Sequence, residues 1–265
     1  MPLIPLDLPA GIYRNGTDLQ SQGRWRDSNL VRWHDGTMQP IQGWRLRSDS
    51  ATANITRSLS AWLDNSDNRW IAAGTYRKLY IYDVNSALYD ITPTGLTVGT
   101  ETSIDATAFG GGVYGSDGYG EPRLERSTGN PATTWSLDTF GQNLVACSSS
   151  DGKIYQWTLS TSTIAAQVTN APVGNAGIMV TDERFLFALG AAGNPRKVQW
   201  CDRENNTLWT PAATNEAGSI ELQTVGRIQC GVKVQNQALI LTTTDAHTAT
   251  YSGPPYVYGI ERVGT

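Results

Sequence analysis

Between Ala61 and Pro93 the chain reads A-W-L-D-N-S-D-N-R-W-I-A-A-G-T-Y-R-K-L-Y-I-Y-D-V-N-S-A-L-Y-D-I-T-P, four short runs of β-forming residues separated by polar turns. The first run ends at Leu63, the second is Arg69 to Gly74, the third Lys78 to Asp83 and the fourth Ala87 to Ile91. Valine, isoleucine, tyrosine and tryptophan suit a pleated surface, while Asn-Ser-Asp-Asn and Asn-Ser-Ala suit tight reversals. Four antiparallel strands in so short a span match one β-propeller blade, and a blade cannot bury both of its faces alone. One blade therefore predicts others.

Three similar groups follow. The second runs from Trp135 to Trp157 and turns at Asp151-Gly152. The third takes in Gly177 to Thr181, Phe185 to Gly190, Lys197 to Trp200 and Leu208 to Pro211. The fourth takes in Cys230 to Val234, Ala238 to Thr242, His247 to Tyr251 and Tyr256 to Ile260. In each group an apolar run meets a polar turn and the next strand carries an aromatic, namely Tyr82, Trp157, Trp200 or Tyr251. The last three aromatics are spaced by 43 and 51 residues, near the roughly 40–50 of one blade. The expected fold is all-β, a β-propeller of four-stranded antiparallel blades over 51–265, with a Gly/Tyr-rich loop inserted near 99–130. A sandwich with irregular spacing is the alternative. Four or five blades barely close a ring, so either the first residues complete a blade or a longer chain has been cut at Thr265.

Residues 1–50 have a different character. Prolines 2, 5 and 9 imply an extended start, and Asp18 to Val31 has room for one helical turn. A segment dense in arginine and tryptophan follows: Gly23-Arg-Trp-Arg26, Leu30-Val-Arg-Trp33 and Gly43-Trp-Arg45. Val31 to Gln39 has the pattern of a hairpin turning at Asp35-Gly36. Trp25, Arg26, Trp33 and Trp44 have the composition of protein-contact hot spots, where large apolar area meets forked donors. They equally suit a core filled by tryptophan with arginines reaching outward.

Charged residues are 17% of the chain and there are 27 glycines, which favours a turn-rich sheet protein over a helical bundle or a disordered tail. A net charge of −4 argues against a surface that works by neutralising phosphates. The three cysteines, Cys147, Cys201 and Cys230, lie far apart in strand-like runs and read as small buried hydrophobes rather than a disulfide or metal set. The start lacks the basic opening and unbroken apolar stretch of a signal peptide, and no run approaches membrane-spanning length. A soluble protein of a reducing cytoplasm is expected, without membrane insertion.

Motifs for chemistry are weak. Gly110-Gly-Gly-Val-Tyr-Gly115 satisfies G-x-G-x-x-G, but Ser-Asp-Gly-Tyr-Gly-Glu-Pro after it cannot open the helix that a dinucleotide site needs. It reads as a glycine-tyrosine loop that is either a protein contact, through Tyr114 and Tyr119, or a mobile tip. Ser149 to Gly152 with Trp157 resembles the Asp-box turn of sialidase-like propellers, one residue short, and that motif is structural. His34 and His247 lack a cysteine or carboxylate at metal-ligand spacing. Asp64 with Asp67, and Asp182 with Glu183, fall in turns where aspartate serves the backbone. No catalytic residue, cofactor or metal is expected.

Leu8 to Thr17, Gly23 to Asp27, Asn29 to Trp33 and Ile41 to Trp44 resemble the opening of tail proteins from tailed bacteriophages. Gly74 to Asp83, Leu137 to Gly141, Gly193 to Arg196, Asn215 to Gly218 and Gly253 to Gly259 are similar as well. As a set they resemble the tail tubular or nozzle-type hub proteins of short-tailed phages. That resemblance implies β-propellers and a virion component assembled in the host cytoplasm. It also implies a homo-oligomeric, hexamer-like ring, contacts to neighbouring tail and adaptor proteins, and DNA that passes through without sequence-specific binding. Members of that kind are usually longer. A ring that passes DNA should not be strongly basic inside, because phosphate contacts would brake transit. The competing expectation is a carbohydrate- or receptor-binding propeller that stacks Tyr114 and Tyr119 on sugars. A sialidase-like enzyme comes third.

Overall fold

The computed structural model describes residues 9–41, 43, 46, 48, 50–103 and 131–264. The Gly110 to Gly115 loop, Tyr114, Tyr119 and Trp44 lie outside the described residues. The chain divides into two compact units, Met1–Arg47 and Ser48–Thr265. Among the described residues the regular structure is all-β, eighteen strands with a single three-residue 3-10 turn at Ala191–Gly193.

In the first unit, β1 (Val31–His34) and β2 (Thr37–Pro40) form the expected hairpin. Asp35 and Gly36 take φ of 48° and 75°, the doubly left-handed turn that matches strand twist and that Asp-Gly favours. The room for a helix after Asp18 is used instead by turns, with Ser21 N–H bonded to Thr17 carbonyl at 3.1 Å.

The second unit contains four antiparallel sheets, each a meander of four consecutive strands. Sheet I is β3 (Ser58–Leu63), β4 (Arg69–Gly74), β5 (Leu79–Tyr82) and β6 (Leu88–Asp90). Sheet II is β7 (Trp135–Phe140), β8 (Asn143–Ser148), β9 (Ile154–Trp157) and β10 (Ala166–Gln167). Sheet III is β11 (Gly177–Val180), β12 (Leu186–Leu189), β13 (Lys197–Trp200) and β14 (Gly218–Glu221). Sheet IV is β15 (Ile228–Val234), β16 (Gln237–Thr242), β17 (Ala246–Gly253) and β18 (Val257–Gly264). All four aromatics singled out by spacing, Tyr82, Trp157, Trp200 and Tyr251, fall on the third strand of their sheets.

Three apolar cores lie between successive sheets. Sheet I gives Trp70, Leu79 and Ile81 to a core shared with Leu144, Tyr155 and Trp157 of sheet II. The opposite face of sheet II, Val145, Cys147 and Ile154, packs on Ile178, Leu186 and Ala188 of sheet III. Sheet III's other face, Phe187, Leu189 and Trp200, packs on Ala238, Ile240 and Tyr258 of sheet IV. Sheets II and III are thus covered on both faces, which is why Leu144-Val-Ala-Cys147 and Leu186-Phe-Ala-Leu189 are apolar without alternation and buried throughout. The first strands lie side by side in order, β3 next to β7, β7 next to β11, and β11 next to β15.

Two strand assignments differ from the sequence reading. Leu208 to Pro211 is not the fourth strand of its sheet. Trp209 is instead a buried plug whose indole N–H donates to Asn206 carbonyl at 2.6 Å, and the edge is taken by Gly218–Glu221. Glycine is required opposite Trp200, since a Cβ at Gly218 would lie 2.7 Å from Trp200 Cε2. Strand β10 carried no readable signal, being two residues long.

Candidate functional site

The Arg/Trp segment folds as a small aromatic cluster. Hairpin β1–β2 presents Trp33, whose ring centroid lies 5.9 Å from that of Trp25 with the planes tilted by 57°. Trp25 is placed by a parallel bridge to Ile12 and by Tyr13 N–H donating to Trp25 carbonyl at 2.8 Å. Arg24 lies over the Tyr13 ring at 5.3 Å. Arg26 pairs with Asp18, while Arg14 pairs with Asp27 at 2.6 Å and donates to Arg26 carbonyl at 3.3 Å. Three of the segment's cationic side chains are therefore engaged within it, and Trp25 and Trp33 pack on each other. The Trp25 indole nitrogen is buried with no partner among the described residues. Trp44, Tyr114 and Tyr119, expected to join this contact set, cannot be placed with it because they fall outside the described residues.

A second set of exposed apolar residues occupies the outward faces of sheets I and IV. On sheet I the register aligns Ala61 with Ile71 and Tyr82 in one row and Leu59 with Ala73 in another. This face is the reverse of the one packed on sheet II; Leu59 and Leu63 on it are 69% and 56% exposed, while Ala73 and Tyr80 on it are buried, the Tyr80 hydroxyl accepting from Ala53 N–H at 3.2 Å. On sheet IV, Val232 aligns with Leu239, and Cys230 with Leu241, away from sheet III. Val232 and Val234 are 49% and 47% exposed. Cys230 is exposed too, correcting the expectation that all three cysteines are buried; only Cys147 and Cys201 are. It sits on a strand with no described sheet against its outer side, a fact the local sequence does not carry.

Polar chemistry concentrates in one cleft of about 350 Å³ beside Arg196, Thr224, Thr244, Asp245 and Arg262. The Asp245 carboxylate accepts hydrogen bonds from the hydroxyls of Thr242 and Thr224, and lies 3.2 Å from Nε2 of the buried His247. The Thr242 hydroxyl first, then Thr224 and His247, hold its pKa below the ordinary carboxylate value. His247 thus has a carboxylate partner two residues earlier, which a reading confined to metal-ligand spacing does not single out. Alternation on a strand could have shown it, since residues two apart share a face. The Thr224 and Thr242 hydroxyls donate to Asp245, so the network ties the β14–β15 connection to the β16–β17 turn, and the Thr244 hydroxyl lies 3.2 Å from that of Thr224.

Of the turn aspartates, Asp64, Asp83 and Asp151 serve the backbone, as expected for Asp64. Asp64 Oδ1 accepts from the N–H groups of Ser66 and Asn68 at 2.8 and 3.0 Å, and Oδ2 accepts from Trp70 Nε1 at 3.0 Å. The indole bond is the largest cause that brings its pKa down to about 2. Asp151 does the same for Lys153 N–H and the Tyr155 hydroxyl, at 3.1 and 2.6 Å. Glu183 accepts the Tyr258 hydroxyl at 3.0 Å. Among the described residues no group of three or more histidine, cysteine or acidic side chains could hold a metal ion, and no helix is long and apolar enough to cross a membrane. No protein-family model matches the chain, and no curated protein matches it.

Proposed function

We propose that the four sheets are consecutive blades of a β-propeller. On this reading the chain is a structural virion component of a bacteriophage tail, a nozzle or hub protein acting through assembly. The observation that carries the architectural half is that sheets II and III are each packed on both faces, with first strands adjacent in order. A two-layer sandwich covers one face of each sheet; a radial array covers two. The phage half rests on the sequence segments from Leu8 to Trp44 and Gly253 to Gly259 that resemble tail hub proteins. It is supported by carboxylates, Asp64 and Asp245, that hold turns while apolar residues stay exposed. A chain of this design works by contact: copies form a hexamer-like ring around the DNA channel, touching adaptor and neighbouring tail proteins.

The test is negative-stain electron microscopy of purified tails from a short-tailed phage, with and without the chain. A collar of added density at the tail supports the reading; tails that stay unchanged while the chain remains free contradict it. The glycan-binding alternative depends on Tyr114 and Tyr119, and no described residue favours it.

A further inference from the structure

The three cores of the second unit obey one rule, and the rule says what the two open faces are for. Each sheet meets the next through opposite faces. Along the array, the face holding the first strand's Ser58 and Trp62 in sheet I is of the type that receives a following sheet, and so is the face of Ser136 and Phe140 in sheet II. The face of sheet II holding Leu137 and Leu144, and that of sheet III holding Ile178 and Leu186, are of the type that docks onto a preceding one. By continuity, the outward face of sheet IV, with Val232, Val234 and Leu239, is a receiving face, and that of sheet I, with Leu59, Leu63 and Ile71, is a docking face. They do not cover each other within one chain, since Leu59 is 69% and Val232 49% exposed.

Their chemistry agrees with such a pairing. Each carries apolar side chains beside a charge of opposite sign, and the β17–β18 half of the sheet IV face adds Thr248, Thr250 and Gly259. Arg69 pairs in register with Leu63 on sheet I, and Glu261 with Thr248 on sheet IV, whereas Asp90 on sheet I is bonded to Lys78 at 2.7 Å. Exposed apolar sheet faces of this extent mark interaction surfaces.

We infer that the sheet IV face of one copy receives the sheet I face of a second copy, so that the chain associates head to tail, extending across subunits the packing it uses within one. The contact is heterologous, and heterologous contacts generate rings when the rotation closes. The inference shares with the proposed function only the choice of a second copy as partner; it needs no phage.

The test is light scattering on the full chain across a concentration series, with maleimide labelling of Cys230, which lies on the receiving face. The wild type should associate with rising concentration, and Cys230 labelling should slow as it does. Leu59→Glu and Val232→Glu each place a carboxylate on one face and should weaken self-association on the order of 30-fold or more. Both positions are already exposed, so unchanged circular dichroism and melting show that the variants fold; Val232→Thr is the milder substitute. Mixed at equal concentration, the two variants should form a one-to-one dimer, because each retains the face the other has lost. Wild type that stays monomeric at about 100 μM, Cys230 protected in the monomer, or association that survives both substitutions would each overturn the inference. So would self-association of either variant alone, which requires like faces to pair. None of these outcomes bears on whether the chain joins a tail, which the collar test decides.

Discussion

Ser136 on β7 bridges to Ile178 on β11 with one hydroxyl: Oγ donates to Ile178 carbonyl at 2.7 Å and accepts from Ile178 N–H at 3.1 Å. Two residues on, Asp138 Oδ2 accepts from Val180 N–H at 2.7 Å. Side chains of one first strand thus satisfy the backbone edge of the next, in the place where a neighbouring strand would otherwise pair. Ser58 Oγ does the same for Trp135 N–H at 2.9 Å. Replacing Ser136 with alanine leaves a buried donor and acceptor unpaired and should cost about 1–3 kcal/mol in denaturant unfolding. A loss under about 0.5 kcal/mol would show that the edges hold without the stitch.

Gly74 and Trp135 set the distance between sheets I and II. A Cβ at Gly74 would lie 2.6 Å from Trp135 Cγ, close to a ring fixed by its own indole N–H bond to Thr75 carbonyl at 2.7 Å. Gly74→Ala should therefore destabilise by about 1–3 kcal/mol through overpacking, with a shift in tryptophan fluorescence. Full stability in this variant would mean the two sheets can slide apart without loss.

How much of this was legible beforehand depends on how local the cause is. Arg69–Gly74 was readable to the residue because Asn-Ser-Asp-Asn precedes it and Gly74 closes it, both local signals. The Asp35-Gly36 hairpin was readable for the same reason. Strand β14 was not: Gly218-Ser-Ile-Glu221 has little β-forming content and is a strand because Trp200 lies against Gly218. Leu208-Trp209 looked like that strand because a buried tryptophan in a loop has the same composition as one in a sheet. Trp25 and Trp33 are legible as candidates, yet their tilted mutual packing depends on the bridge between Ile12 and Trp25, which no spacing shows. The exposure of Cys230 depends on what packs beyond sheet IV, a fact about the whole array.

Acid should weaken the fold through its turn carboxylates. Asp64 titrates at about 2 instead of 3.8, so between those values the unfolded chain binds the proton and the folded chain does not. Its contribution is complete above about pH 5 and is lost as the pH falls through 4 towards 2. Asp64→Asn keeps one acceptor for the backbone but turns an amide N–H towards Trp70 Nε1. It should lower the melting temperature at neutral pH and flatten the decline below pH 4. An unchanged acid slope in Asp64→Asn would assign the decline to other groups.

Thiol labelling separates the cysteines. Burial raises the pKa of Cys147 and Cys201, the latter to about 12, so neither presents thiolate to reagent near neutral pH. The dilute native chain should take up one maleimide rapidly, at Cys230, and all three only after denaturation. Rapid uptake of two or three by the native chain would contradict the packing of sheets II and III.

The most direct test of the whole account is a cryo-electron microscopy reconstruction of the assembled chain. The account predicts β3, β7, β11 and β15 as successive inner strands around a common axis, in subunits joined into a ring. Sheets arranged as a flat two-layer sandwich, in particles that never exceed a monomer, would contradict it.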